Sequence, residues 1–330
     1  MPANVDFDDV VTTTLRNRSG KLADNATRTT AFLDRMRRKG KVKPAGGGRT
    51  IVQELEVSLN PHGGWYAGMD PLSTNMHEPF SAAEYDWKQA AVPVVWSGLD
   101  KLKNQGEWAT INLVTSRVKN SEKSLVDLVA QAAYSDGTSF GGKQMHGTQL
   151  FIVASPTSGV VGGIDRAGNT FWRNQATTVA MSTPNNIAVS NPSNFLIALN
   201  AIAIACTRGT DRPDLYVADA TGYTRYLESL QPMQRITNTD MAGYGFTALK
   251  YHGVGANADF VLDNGYCPAK TVYALNTDFI FLRPHEDRDF VPFGGDRIPT
   301  NQDGTLRYVG FTGNLTASNL GLQGIITSTN

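Results

Sequence analysis

Residues 51–137 constrain the fold most, because they read as a long two-stranded ribbon feeding a long helix. The run Ile51-Val52-Gln53-Glu54-Leu55-Glu56-Val57-Ser58-Leu59 alternates almost throughout. Ile51, Leu55, Val57 and Leu59 point one way together with Gln53, while Glu54, Glu56 and Ser58 point the other. A period of two marks a half-buried strand. The expected second arm is Ala90 to Trp96, apolar and rich in Val. Between them, Asn60 to Gln89 makes a tip of about thirty residues that carries Pro61, Gly63, Gly64, Gly68, Pro71 and Pro79. Loops of that length are functional or disordered. The aromatics Trp65, Tyr66, Phe80, Tyr85 and Trp87 argue against disorder, which goes with few aromatics. Such a tip needs a surface to bury against. If its own domain does not supply one, a neighbouring subunit must.

A helix follows the ribbon. Ser97 and Asp100 resemble a capping box, with the acid where the helix dipole favours it. Gly106 interrupts the pattern, and from Trp108 an apolar stripe runs through Ile111, Val114, Val118, Leu125, Leu128, Val129 and Ala132. Its spacing is three or four, with Ser121 and Glu122 as the only gap, and it stops near Asp136-Gly137. A helix from Trp108 to Tyr134 is roughly 40 Å long at about 1.5 Å per residue. That length suits a flat, extended subunit built on a spine.

These elements carry a resemblance. A basic, helical N-terminal arm leads to Gly46-Gly47-Gly48-Arg49 and then to the long loop. Phe80-Ser81-Ala82-Ala83-Glu84-Tyr85-Asp86-Trp87-Lys88 follows, then Val95-Trp96-Ser97-Gly98 and Lys103-Asn104-Gln105-Gly106. The long helix ends at Tyr134-Ser135-Asp136-Gly137-Thr138. In order and spacing this resembles the major capsid proteins of tailed bacteriophages, which have the HK97-type fold. The resemblance implies an α+β chain in five parts: an N-terminal arm (1–49), an E-loop ribbon (50–97), the spine helix of a peripheral domain (98–137), an axial domain (138–270) and return strands of the peripheral domain (271–330).

The length of 330 residues allows one or two domains, and 41% hydrophobic residues supply a core. Thirty basic and thirty acidic residues balance, so the whole chain has no net pull towards nucleic acid or membrane. No apolar run reaches the length of a membrane span, and the N terminus lacks a signal peptide's apolar core. Cys206 and Cys267 are too few for a disulfide framework and read as unpaired thiols.

The charge is unevenly placed. Residues 1–49 hold 11 Lys or Arg against 5 Asp or Glu, a net of +6, so residues 50–330 carry −6. Arg35, Arg37, Arg38, Lys39, Lys41 and Lys43 cluster before Pro44, behind an imperfect helical pattern of Val10, Leu15, Leu22, Ala26, Phe32, Leu33 and Met36. A solvated helix end accounts for this cluster, and so does an arm that faces packaged DNA or crosses an acidic neighbour. A shell lining should not grip DNA tightly, because each phosphate contact adds salt-dependent affinity that opposes packaging.

Beyond Gly137 the texture changes to short strands and turns. Strands are expected at Gln149 to Ala154, Pro213 to Ala218, Phe246 to Val254, Asp259 to Leu262, Lys270 to Leu282, Leu306 to Thr312 and Leu322 to Thr327. Helices are expected after Asn191-Pro192, running to Gly209, and after an Asp219 cap, bearing Tyr223, Tyr226, Leu227 and Leu230. Strands and helices without regular βαβ alternation favour α+β.

Catalytic chemistry is not evident. His62, His77, His146, His252 and His285 are scattered, with no pair at metal-ligand spacing. The three glycines at 46–48 lead into a strand, so they are a hinge and not a phosphate cradle. Ser155-Pro156-Thr157-Ser158-Gly159 is a turn and not a nucleophile elbow. Asp211, Asp214 and Asp219 hint at a carboxylate site, although a strand and a helix cap explain the last two more simply. His285-Glu286-Asp287-Arg288-Asp289 is a metal patch or a solvated loop. No catalytic, cofactor or metal residue is therefore assigned.

The functional expectation is a structural, non-enzymatic subunit that assembles into hexamers and pentamers of an icosahedral shell around double-stranded DNA. Some members of the capsid family lock the shell through an E-loop lysine bonded to a neighbour's asparagine. Asn60 to Trp87 contains no lysine, so a shell without cross-links is expected, held by aromatic anchors and a possible separate cement protein. The arm begins almost at Met1, so any scaffold is expected to be a separate protein, alongside a portal. The expected intersubunit contacts are Trp65, Tyr66, Met69, Phe80, Tyr85 and Trp87 on the tip, with Phe32, Arg35, Arg37, Arg38, Lys39, Lys41 and Lys43 on the arm. An intramolecular core is the alternative for the tip aromatics. The resemblance places the protein in a virion capsid assembled in the host cytoplasm, with only non-specific DNA contact and no membrane. An encapsulin-like compartment shell shares the fold, and a soluble α+β hydrolase is the rival from another class.

Overall fold

A computed structural model describes residues 30–71, 73–99, 107–179, 181, 192–230, 248–253, 256–263, 265–298 and 303–328. The expected Asp100 cap, the Lys103–Gly106 run, the Asn191 cap and the arm residues before Thr30 lie outside them. The chain begins with helix α1 (Ala31–Arg38). Thr30 caps it by accepting the Leu33 N–H at 3.3 Å. Gly40, at φ +65°, ends it in a Schellman turn: its N–H reaches the Arg37 carbonyl at 2.9 Å, and Lys41 N–H reaches Met36 at 2.8 Å. The chain then runs along one edge of strand β11 (Ile280–Pro284), with Lys43 and Ala45 donating to Leu282 and Pro284.

Strand β1 (Ile51–Glu56) forms as its alternation predicts, with Ile51 and Leu55 buried and Val52, Glu54 and Glu56 exposed. Its partner is not Ala90 to Trp96. It pairs antiparallel with β2 (Phe80–Tyr85), Ile51 opposite Tyr85 and Glu56 opposite Phe80. The expected second arm is β3 (Lys88–Ser97), which leaves the ribbon and pairs with β13 (Gly304–Ala317) from Lys88–Gly313 to Ser97–Gly304. The physical reason is that β13 is fourteen residues long and mostly buried, so it offers β3 an apolar ladder that a two-stranded ribbon cannot. The other side of β13 pairs with β12 (Val291–Arg297) and then with β11.

Helix α2 (Glu107–Ala132) lies across β3 and β13. Its 26 residues span about 39 Å. Val118, Leu125, Val129 and Ala132 are buried at the expected spacing. Ser121, the polar break in the stripe, is buried as well, and its hydroxyl donates to the Pro93 carbonyl of β3 at 3.1 Å. Past the helix the chain folds back so closely that a Cβ on Gly147 would lie 2.3 Å from the Ala132 carbonyl oxygen. The strand expected at Gln149 to Ala154 is instead a helical turn, Thr148–Phe151. Buried Arg166 donates to the Leu150 and Phe151 carbonyls at 3.0 and 2.6 Å, which satisfies backbone groups that a strand would have paired.

A short hairpin, β4 (Val160–Val161) and β5 (Ile164–Asp165), precedes β6 (Gln175–Val179). Then follow α3 (Pro192–Ala205), β7 (Leu215–Ala218), α4 (Ala220–Leu230), β8 (Ala248–Gly253), β9 (Ala256–Leu262), β10 (Thr271–Leu275) and β14 (Gly324–Ser328). Asp219 caps α4 through Gly222 N–H at 2.8 Å, as expected. The six strands form one sheet in the order β6-β14-β10-β7-β9-β8. One face carries Tyr216, Phe260, Val272 and Ile326 against Phe195, Leu199 and Ile202 of α3 and Tyr226 of α4. The other carries Leu215, Val217, Val261, Tyr273 and Ile325 in a second core shared with α1 and α2.

This sheet crosses the expected boundary at residue 270. β10 and β14 were expected among strands returning to the spine, yet they pair with β7 and β6. Every residue of β10 is buried, and such a strand needs cover on both faces. Only β11, β12 and β13 return to the spine-side sheet. Cys206 and Cys267 are both buried and unpaired. Among the described residues no helix is long and apolar enough to cross a membrane.

Candidate functional site

Between Val57 and Pro79 the ribbon opens into its tip, closed at the base by a Val57 N–H bond to the Pro79 carbonyl at 2.8 Å. Trp65 (106% exposed), Met69 (102%), Phe80 (77%) and Tyr66 (65%) present nearly their whole side chains to solvent. Leu59 and Met76 are exposed beside them, and neither was singled out from the sequence. Large apolar side chains gathered in this way mark an interaction surface. Residues 57–87 also carry four carboxylates, Asp70, Glu78, Glu84 and Asp86, with no Lys or Arg.

Two tip candidates belong elsewhere. Tyr85 is buried at the foot of the ribbon, where its hydroxyl donates to the Ala317 carbonyl at 3.3 Å and its ring meets Phe151 edge-on. Trp87 is half-buried; its indole N–H donates to the Gly48 carbonyl at 2.9 Å and its ring lies 5.2 Å from His285. Both anchor the ribbon to its own subunit.

The arm is corrected in the same sense. Phe32 is wholly buried, 6.1 Å from the Tyr134 ring, and cannot meet a neighbour without leaving the core. The acidic partner expected for the basic cluster lies within the chain. Arg35 pairs with Asp214 at 3.0 Å and Asp259 at 3.2 Å, while Lys39 pairs with Asp278 at 2.8 Å and Asp214 at 3.2 Å. Lys41 reaches Asp278 at 3.3 Å, Lys41 and Lys43 lie over the Phe281 ring, and Arg38 pairs with Asp34. Arg37 is half-buried on the same helix. Burial raises the Asp278 carboxyl pKa, but the hydrogen bonds and charges of Lys39 and Lys41 outweigh it and hold the pKa below the ordinary value.

The residues considered for catalysis do not converge. Asp214 accepts the Thr277 N–H and hydroxyl besides its arm cations, Asp219 is a helix cap, and Asp211 sits in a turn closed with Arg208. Among the described residues no three His, Cys, Asp or Glu side chains gather at metal-holding distance.

No protein-family model matches the sequence, and no curated protein does. Solved structures share the architecture across most of the chain. The cyanophage A-1(L) capsid asymmetric unit overlays with a TM-score of 0.61 at 13% identity, covering 87% of this chain and 90% of that one. The chain has the HK97-type capsid fold. The Mycobacterium phage Bobi structure gives 0.54 at 10% identity over 88% and 90% of the two chains. The capsid of a native GTA particle gives 0.53 at 9% identity over 89% and 90%. In the terms of that fold, the ribbon is the E-loop and α2 the spine helix.

Where the E-loop meets the spine, buried Asn314 of β13 ties three segments together. Its amide oxygen accepts the His146 and Leu315 N–H groups, both at 2.9 Å, and its amide nitrogen donates to the Asp86 carbonyl at 2.8 Å. Burial, with a smaller push from Lys88, lowers the His146 pKa from 6.5 to about 4. Burial raises the Asp289 pKa from 3.8 to about 6.

The two act in opposite senses. Below about pH 6.5 an unfolded His146 takes a proton that the folded one refuses, so its contribution to stability is lost as pH falls towards 4. Above about pH 3.8 an unfolded Asp289 releases a proton that the folded one keeps, so its contribution is lost as pH rises through 6. Each is worth at most about 2–3 kcal/mol. Melts from pH 4 to 7 should therefore show Asp289→Asn gaining on the unsubstituted chain as pH rises, and His146→Gln resisting acid better. Parallel pH profiles for all three would contradict these assignments.

Proposed function

We propose that this chain is a structural, non-enzymatic shell subunit. Its copies form hexamers and pentamers of an icosahedral capsid around double-stranded DNA, in a virion assembled in the host cytoplasm. The observation that carries the reading is the E-loop tip: a chain with two well-buried cores leaves Trp65, Tyr66, Met69 and Phe80 in water on a ribbon anchored only at its foot. Exposure of that kind is costly for a solitary protein and useful in an assembly, where many weak contacts sum by multivalency. The capsid folds of the cyanophage and GTA particles give the tip a setting in which to act.

The contacts are non-covalent, because the tip holds no lysine to cross-link. A separate scaffold, a portal and a cement protein complete the particle. Contact with packaged DNA is non-specific and weak, which suits equal numbers of basic and acidic residues and an arm whose cations are largely neutralised within the chain. Particle formation by the purified chain tests the reading. Five- and six-membered rings or closed shells are expected, and compact small oligomers at high concentration would contradict it.

A further inference from the structure

The exposed tip has a matching hole on the same chain. Where the spine helix crosses β3 and β13, a cavity of about 270 Å³ opens, walled by Ala91, Leu128, Ala132, Phe140, Met145 and Phe311. Phe140 is 72% exposed, so the wall is apolar up to the surface. The polar lining is Lys88, Lys143 and two glutamines, with no carboxylate. Lys88 is fixed at the rim by donating to the Gly142 carbonyl at 2.6 Å. Gln144, in the same wall, holds a buried amide oxygen with no hydrogen-bond partner.

We infer that this cavity receives Trp65 from the E-loop of a second copy. Three features of the hole select that side chain and its surroundings. The walls are apolar and suit an aromatic ring. The unpartnered acceptor on Gln144 calls for a donor, and an indole N–H is a donor only. The cationic rim without acids suits a tip that carries Asp70 and Glu78 and no cation.

The occupant comes from another copy, because the cavity lies at the ribbon's foot while Trp65 stands beyond its far end. The six residues of β1 alone separate the two by about 20 Å, and Trp65 is fully exposed within its own chain. A knob and a hole on different faces of one chain make a head-to-tail contact, which closes into a ring or runs on as an open filament. This inference rests on the shell reading and names the acceptor surface for it.

Filling the hole is the test. Ala91 is exposed at the cavity mouth, so Ala91→Trp occupies the space without entering the core. It should lower the particle yield at least tenfold while the melting temperature of the free subunit stays unchanged. A second measurement keeps Trp65 in place. In the full chain, Gly64→Cys has open space around its Cβ, and Lys143→Cys sits on the cavity rim. A short bis-maleimide should join these two into a ladder of linked chains in particles, and neither single variant should give it. Cys206 and Cys267 are buried and do not compete.

Normal yield from Ala91→Trp, or intact particles without the ladder, would overturn the pocket and leave the shell reading standing. Failure of the unsubstituted chain to form any particle would remove both.

Discussion

Replacing Trp65 and Tyr66 together by Ala should abolish assembly while leaving the free subunit as stable as before. Both side chains stand in solvent within the subunit, so their removal deletes no core contact. Substitutions at such positions change folding stability by less than about 0.5 kcal/mol. At an interface the same side chains are of the types that dominate binding, with roughly 2–4 kcal/mol lost for each hot-spot residue truncated. Every copy in a ring gives one tip and receives one, so the loss recurs at each contact of the capsomer. The expected result is a free subunit with an unchanged melting curve and no particles by size-exclusion chromatography. Shells of normal yield from the double variant would show that the tip is not an assembly anchor.

Phe32→Ala should have the opposite signature. Phe32 is fully buried between the arm helix and Tyr134, so truncating it costs the transfer free energy and leaves a cavity, together about 3–5 kcal/mol. That is a large share of the stability of a single domain. Urea unfolding of the unassembled subunit should show a lower midpoint with the slope retained. An unchanged midpoint accompanied by failed assembly would instead return Phe32 to the subunit interface. The contrast separates the two ends of the chain's apolar surface. The tip acts between copies, whereas the described part of the arm acts within one.

What the sequence disclosed follows the range of the forces involved. The spine helix and β1 were legible because their periodicity is local, and the Asp219 cap because it acts three residues away. The exposure of Trp65, Tyr66, Met69 and Phe80 was also legible, since a long aromatic loop with no apolar run of its own has nothing local to bury against. Strand pairing was not. β2 is Phe-Ser-Ala-Ala-Glu-Tyr, a weak strand former, while β3 is Val-rich. The stronger pattern drew the pairing with β1, and the true partner of β3 lies some two hundred residues downstream in β13.

The arm failed for the same reason. Arg35 and Lys39 look like surface charge in their own segment, and the aspartates that hold them are 179 and 239 residues away. Tyr85 and Trp87 share the composition of the tip but sit where the ribbon meets its own core, and only the Asn314 junction reveals that. The domain boundary slipped because β10, buried on both faces, could have belonged to either sheet.

The central claim is that the chain builds shells, and the most direct measurement is negative-stain electron microscopy of the purified, unsubstituted protein beside size-exclusion chromatography. Closed particles, or rings of five and six copies eluting far above the 35.7 kDa of one chain, are the expected result. A population made up only of compact monomers or dimers, unchanged at high concentration, would contradict it.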